Sequence, residues 1–109
     1  MSLKLQVLDA NGTLGNLQIA IGQTEQLGFQ LVTVSMCQIE SQPANLVTFR
    51  RLAPGSAPGP LSLISVPPAN TLNQQQDALN SGEAGGKQLV CYATIFVAGA
   101  EANVAALRG

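Results

Sequence analysis

Shifting the sequence by 58 residues lays positions 3–51 over 61–109 without a gap, and 14 of the 49 aligned positions are identical. The matches are Leu3/Leu61, Leu5/Leu63, Thr13/Thr71, Leu14/Leu72, Gln18/Gln76, Ala20/Ala78, Glu25/Glu83, Gly28/Gly86, Gln30/Gln88, Leu31/Leu89, Val32/Val90, Ala44/Ala102, Asn45/Asn103 and Arg50/Arg108. Self-similarity at a fixed spacing marks one supersecondary unit used twice. A unit of about 50 residues buries too little apolar surface to be comfortable alone. The 109 residues are therefore expected to form one domain, with repeats 3–51 and 61–109 sharing a core.

Each copy reads as β-α-β-β. "LKLQVL" (3–8) alternates as a strand, and "ANGT" supplies a turn with Thr13 as a helix N-cap. Leu14, Leu17, Ile21 and Leu27 fall at helical spacing and predict a helix over 14–27, although "NLQIAIG" also alternates well enough for a strand. The second copy decides in favour of helix, because "NTLNQQQDALNSG" lacks a β-branched run and predicts a helix over 71–81. Gly28 and Gly86 then stand where a helix C-terminus wants a residue tolerant of positive φ. "FQLVTVSMCQI" and "KQLVCYATIFV" follow as long strands, and "NLVTFRR" (45–51) pairs back on the first of them through "ESQPA".

The stretch "AEANVAALRG" (100–109) has the alanine content of a helix. It nevertheless lies over "ANLVTFRR", so a strand at 103–108 pairing with 87–97 is predicted. The segment "LAPGSAPGP" (52–60), with three Pro and two Gly, joins the copies as an extended linker. Three strands and one short helix leave a half-finished core. The expected fold class is α+β: two tandem β-α-β-β repeats packed about a pseudo-twofold axis, about six strands and two helices, with the helices covering a shared sheet in a two-layer sandwich or small barrel.

Composition narrows the function. Only 10% of residues are charged and the net charge is −1, against 46% hydrophobic residues. With no basic stripe to neutralise phosphates, neither nucleic acid nor an anionic membrane is an expected partner. A nearly neutral surface repels copies of itself poorly, which points to a homo-oligomer. Cys37 and Cys91 lie in apolar runs and are expected to be buried thiols. Neither a secretory leader nor a stretch of about 18 apolar residues is present, so a cytoplasmic protein or a virion or assembly component is expected. Asn11-Gly12-Thr13 fits a glycosylation pattern but reads as a turn.

Familiar chemistry is missing from the residues. The chain has no His, which removes Ser-His-Asp and Cys-His catalysis and the His-containing metal sites, so neither a metal nor a cofactor is expected. "GEAGGK" (82–87) lacks the full phosphate-loop spacing and leads into a strand instead of a helix. Tyr92 is the one tyrosine and Trp is absent, so there is no aromatic platform for bases.

The only ionised residues repeated between the copies are Glu25/Glu83, each near a helix end, and Arg50/Arg108, each near the end of a last strand. One reading makes Glu25–Arg50 and Glu83–Arg108 two partly exposed ion pairs tying helix to sheet, worth about 0–1 kcal/mol each. The other gathers the four about the pseudo-twofold axis, where the Arg residues hold a small anionic ligand or a neighbouring subunit.

At "IGQTEQLGFQLVTV" followed by "NLVTFRR" the first copy resembles a widespread family of small bacterial β-α-β-β domains of unknown function. Gly28, Phe29, Gln30, Leu31 and Val32 stand at that family's Gly-Trp-Glu-Leu-Val strand start, with Phe and Gln in place of Trp and Glu. Phe49, Arg50 and Arg51 stand at its Phe-Lys/Arg-Arg strand end, whereas the second copy has Lys87 at the aromatic position. The resemblance covers about 40 residues. It implies a small α+β fold and oligomerisation, and no agreed activity. The leading expectation is a non-enzymatic, self-associating structural or binding module of bacterial or phage type. The alternative is a small-molecule binder or cofactor-independent enzyme with a site between the repeats, using Arg50, Arg108, Glu25, Glu83 and Tyr92.

Overall fold

Thr13 and Thr71 begin the two helices in the way their sequence context suggests. Each sits in extended backbone, and each side chain accepts the N–H three residues on, from Asn16 and Gln74 respectively. Gln74 returns the bond to the Thr71 N–H and completes a capping box. The computed structural model describes residues 2–66 and 71–109. Over them the order is β1 (Leu3–Asp9), α1 (Leu14–Glu25), β2 (Phe29–Ile39), β3 (Gln42–Arg51), β4 (Leu61–Val66), α2 (Leu72–Glu83), β5 (Gln88–Val97) and β6 (Ala100–Arg108).

The strands form two antiparallel three-stranded sheets, ordered β1-β3-β2 and β4-β6-β5. Element order and strand register coincide between the halves at the 58-residue offset. Leu3 faces Arg50 as Leu61 faces Arg108, and the register slips between Leu31 and Thr33 as it does between Leu89 and Cys91. Gly28 and Gly86 adopt φ of +97° and +86° between helix and strand, the left-handed turn their position predicts. The segment at 100–109 is the strand that the alignment requires, pairing with β5 from Gln88 to Val97.

The observed elements differ from the predicted ones in their bounds, α2 running on to Glu83 beyond the predicted 81 and β6 starting at Ala100 before the predicted 103. Leu27 falls outside α1, which stops at Glu25, and is 73% exposed. Strand β3 starts at Gln42, earlier than the predicted 45, because Glu40 and Ser41, both at positive φ, turn the chain within two residues. Ala98 and Gly99 make the corresponding turn before β6. The sheet, whose form the sequence pattern leaves open, is split in two. The Asn45 side chain occupies the outer edge of β5 at Phe96, where a neighbouring strand would have to pair.

The packing between the halves is not that of a twofold. Cross-strand pairs share a face, so Leu31, Val34, Val47 and Phe49 line one side of the first sheet, the side on which Leu17 and Ile21 of α1 also pack. This helical face meets Leu63, Ile95, Val104 and Ala106 of the second sheet, residues on the face opposite to α2. Leu107 and Ile64 lie on the other side, against Gly82 of α2. One half thus contributes its helical face and the other its bare face, whereas a twofold interface uses the same patch on both.

Candidate functional site

Glu25 and Glu83 hold the same local position. Each carboxylate closes the turn after its own helix by accepting the N–H of the residue six positions on. Leu31 donates to Glu25 Oε2 and Leu89 to Glu83 Oε2, both at 2.8 Å. These N–H groups stand where each long strand begins its register slip, so the repeated Glu anchors a bulge that would otherwise leave a donor open.

The two carboxylates then diverge. Glu25 is 6% exposed and faces Arg108 across the two halves. The Arg108 guanidinium donates from Nη2 to Glu25 Oε2 at 2.5 Å and from Nη1 to Glu25 Oε1 at 3.2 Å, and Nη1 also reaches Gly59 O at 2.6 Å. This is the bidentate geometry that favours Arg over Lys. Glu83 and Arg50 are exposed, and among the described residues neither enters an ion pair. The pairs expected within each repeat, Glu25–Arg50 and Glu83–Arg108, are therefore replaced by one crossed pair. The four residues do not gather at one centre, because the halves meet through unlike faces.

Tyr92 lies apart from this pair, on the α2 side of the second sheet, where its hydroxyl donates to Gln75 Oε1 at 2.8 Å. Cys37 and Cys91 are both half-buried, more accessible than their apolar context suggests. Burial pushes the Cys91 thiol above its ordinary pKa, partly offset by backbone hydrogen bonds with Val34 and Ala106. The residues of the Phe and Arg motif pack together: the Phe29 and Phe49 rings meet edge to face at 6.5 Å, and the Arg51 guanidinium covers Phe29 at 4.8 Å. Asn11-Gly12-Thr13 is the turn it resembles, with the Asn11 N–H on Asp9 Oδ1 at 2.8 Å.

Two further polar residues join the halves, and both were visible only as identities in the self-alignment. Gln18 Oε1 accepts the Leu63 N–H at 2.9 Å on the outer edge of β4. Asn45, fully buried, donates to Phe96 O and accepts from Phe96 N–H, each at 2.8 Å, on the outer edge of β5. The first half thus clamps both open edges of the second sheet with amide side chains, and adds the Glu25–Arg108 pair between them.

The interior between the halves is filled. The void bounded by Leu17, Val34, Leu63, Cys91 and Val104 measures about 10 Å3, room for one water at most. An open groove of about 610 Å3 runs between α1 and linker residues Ser56–Pro60, beside the Glu25 carboxylate. Among the described residues no cluster of His, Cys, Asp or Glu could hold a metal ion, and no helix is long and apolar enough to cross a membrane. Comparison with protein-family models, with curated protein sequences and with solved structures found no match to this chain.

Proposed function

We propose that this protein is a non-enzymatic, self-associating structural module, of the kind that builds a shell, tail or filament in a bacterial or phage assembly. The observation that carries this reading is the bare face of the first sheet. Leu3, Leu5 and Val7 are 49%, 63% and 50% exposed there in one line along the edge strand β1. Single exposed apolar residues are ordinary, but a contiguous stripe on an open-edged strand marks a surface for association. Low charge supports the same reading, since little repulsion opposes contact between copies.

An anion site between the repeats has weaker support. Both Nη atoms of Arg108 are engaged by Glu25 and Gly59, Arg50 is exposed and outside that pair, and the groove of about 610 Å3 beside α1 presents the Glu25 carboxylate, which repels an anion. Light scattering coupled to size exclusion, over concentrations from about 1 μM to 1 mM, tests the proposal. Mass that rises above that of one chain supports it, and a strict monomer throughout refutes it.

A further inference from the structure

The contact between the halves is a worked example of how one unit fits another. The first half presents its helical face and the second its bare face, so two unlike surfaces remain uncovered: the helical face of the second half and the bare face of the first. Helix α2 buries no residue, and Leu72 is 79% exposed where its counterpart Leu14 packs on the core. Leu3 and Leu5 are 49% and 63% exposed, where their counterparts are half-buried (Leu61) and 8% exposed (Leu63).

We infer that a second copy of this chain docks head to tail, its first half seated on the α2 face as the second half is seated on the α1 face. This rests on the self-association reading above and adds its geometry. The contacts between the halves convert by the 58-residue offset into contacts between chains. Glu83 pairs with Arg50 of the next copy, as Glu25 pairs with Arg108. Gln76 reaches the Leu5 N–H on the open edge of β1, as Gln18 reaches that of Leu63. Asn103 clamps Gln38 of β2, as Asn45 clamps Phe96.

The polar side chains for these contacts are already on the chain. Gln18, Glu25, Asn45 and Arg108 each recur as the identical residue in the other half, although among the described residues Gln76, Glu83 and Arg50 do no comparable work between the halves of one chain. In a single chain Glu83 and Arg50 are exposed and outside any ion pair among the described residues, and Asn103 Oδ1 accepts the Thr94 hydroxyl of its own sheet at 2.7 Å. Charge is complementary: one carboxylate stands on the helical face and one guanidinium on the bare face. Because the contact joins unlike patches, repetition continues into a ring if the rotation closes and a filament if it does not.

Two variants in sedimentation velocity test the geometry. Arg50→Glu with Leu5→Lys disables the bare face, and Glu83→Arg with Leu72→Asp disables the helical face. All four residues are exposed, and the single substitutions Leu5→Lys and Leu72→Asp, which leave the Glu83 bond intact, repeat the test should a double variant fail to fold. Each variant alone is expected to self-associate at least about 100-fold more weakly than the wild type. Mixed in equal amounts they are expected to form a heterodimer and stop there, since each retains the face the other lacks. The charge swap Arg50→Glu with Glu83→Arg in one chain is expected to restore assembly. Wild-type assembly that survives in both variants, or a mixture that forms no heterodimer, overturns the head-to-tail contact and leaves self-association standing. A wild type that stays monomeric overturns both.

Discussion

Arg108 grips Glu25 across 83 residues of sequence and ties the last strand to the end of the first helix. Both side chains are withdrawn from water, at 13% and 6% exposure. Breaking such a pair leaves one charge buried and uncompensated, which costs far more than a surface pair. In Glu25→Ala the Leu31 N–H loses its acceptor as well. The expected loss is about 3–5 kcal/mol, measured by urea unfolding at a concentration where the protein is monomeric. Glu83→Ala, which loses only the exposed bond to Leu89, should cost about 1 kcal/mol. Equal losses would contradict the crossed pairing.

Asn45 makes the second joint. Its amide is fully buried and bonds both the N–H and the carbonyl of Phe96, so Asn45→Ala leaves two backbone groups without partners. A loss of about 2–3 kcal/mol is expected. Asn45→Asp retains the acceptor for the Phe96 N–H but sets a carboxylate against the Phe96 carbonyl, and should be no better tolerated. Hydrogen exchange at Phe96 reads the local effect directly.

Gly28 and Gly86 isolate a backbone contribution. A Cβ at either position would meet no atom within 4 Å, yet both residues sit at positive φ. Alanine at either site should therefore destabilise through conformation alone, by about 1 kcal/mol each and by similar amounts at the two. A thermal denaturation series of the two single variants and the double variant measures it.

Cys91 makes stability depend on alkaline pH. Burial raises its folded-state pKa above the ordinary 9.0, so above that pH the unfolded chain releases a proton that the folded chain retains. Stability is then full below about pH 9 and falls as pH rises through the folded pKa. Cys91→Ala should unfold with a shallower alkaline slope than the wild type in denaturation curves from pH 8 to 10. Parallel curves would refute the assignment.

Much of the local structure was legible in the residues. Thr13 and Thr71 as caps, Gly28 and Gly86 as turns, and the strand at 100–108 all follow from short-range chemistry checked against a second copy. The tight turn at Glu40 and Ser41 was not legible, since neither residue advertises positive φ and the neighbouring Pro43 suggests a longer loop. Leu27 matched the helical stripe by spacing, but Gly28 ends the helix before that residue can turn inward.

By itself the sequence determined the units: two copies of β-α-β-β, because caps, turns and strand periods are set within a few residues and the offset of 58 repeats them. Only the tertiary structure decided how the units meet. Identical residues in both halves are equally compatible with Glu25 facing Arg50 or Arg108, since pairing depends on which faces are buried together. Sheet against helix won over like against like, because α1 and the first sheet bury Leu17, Ile21, Val34 and Phe49 in one apolar cluster with Leu63, Val104 and Ala106. That choice left Glu83 and Arg50 exposed at opposite faces of the chain.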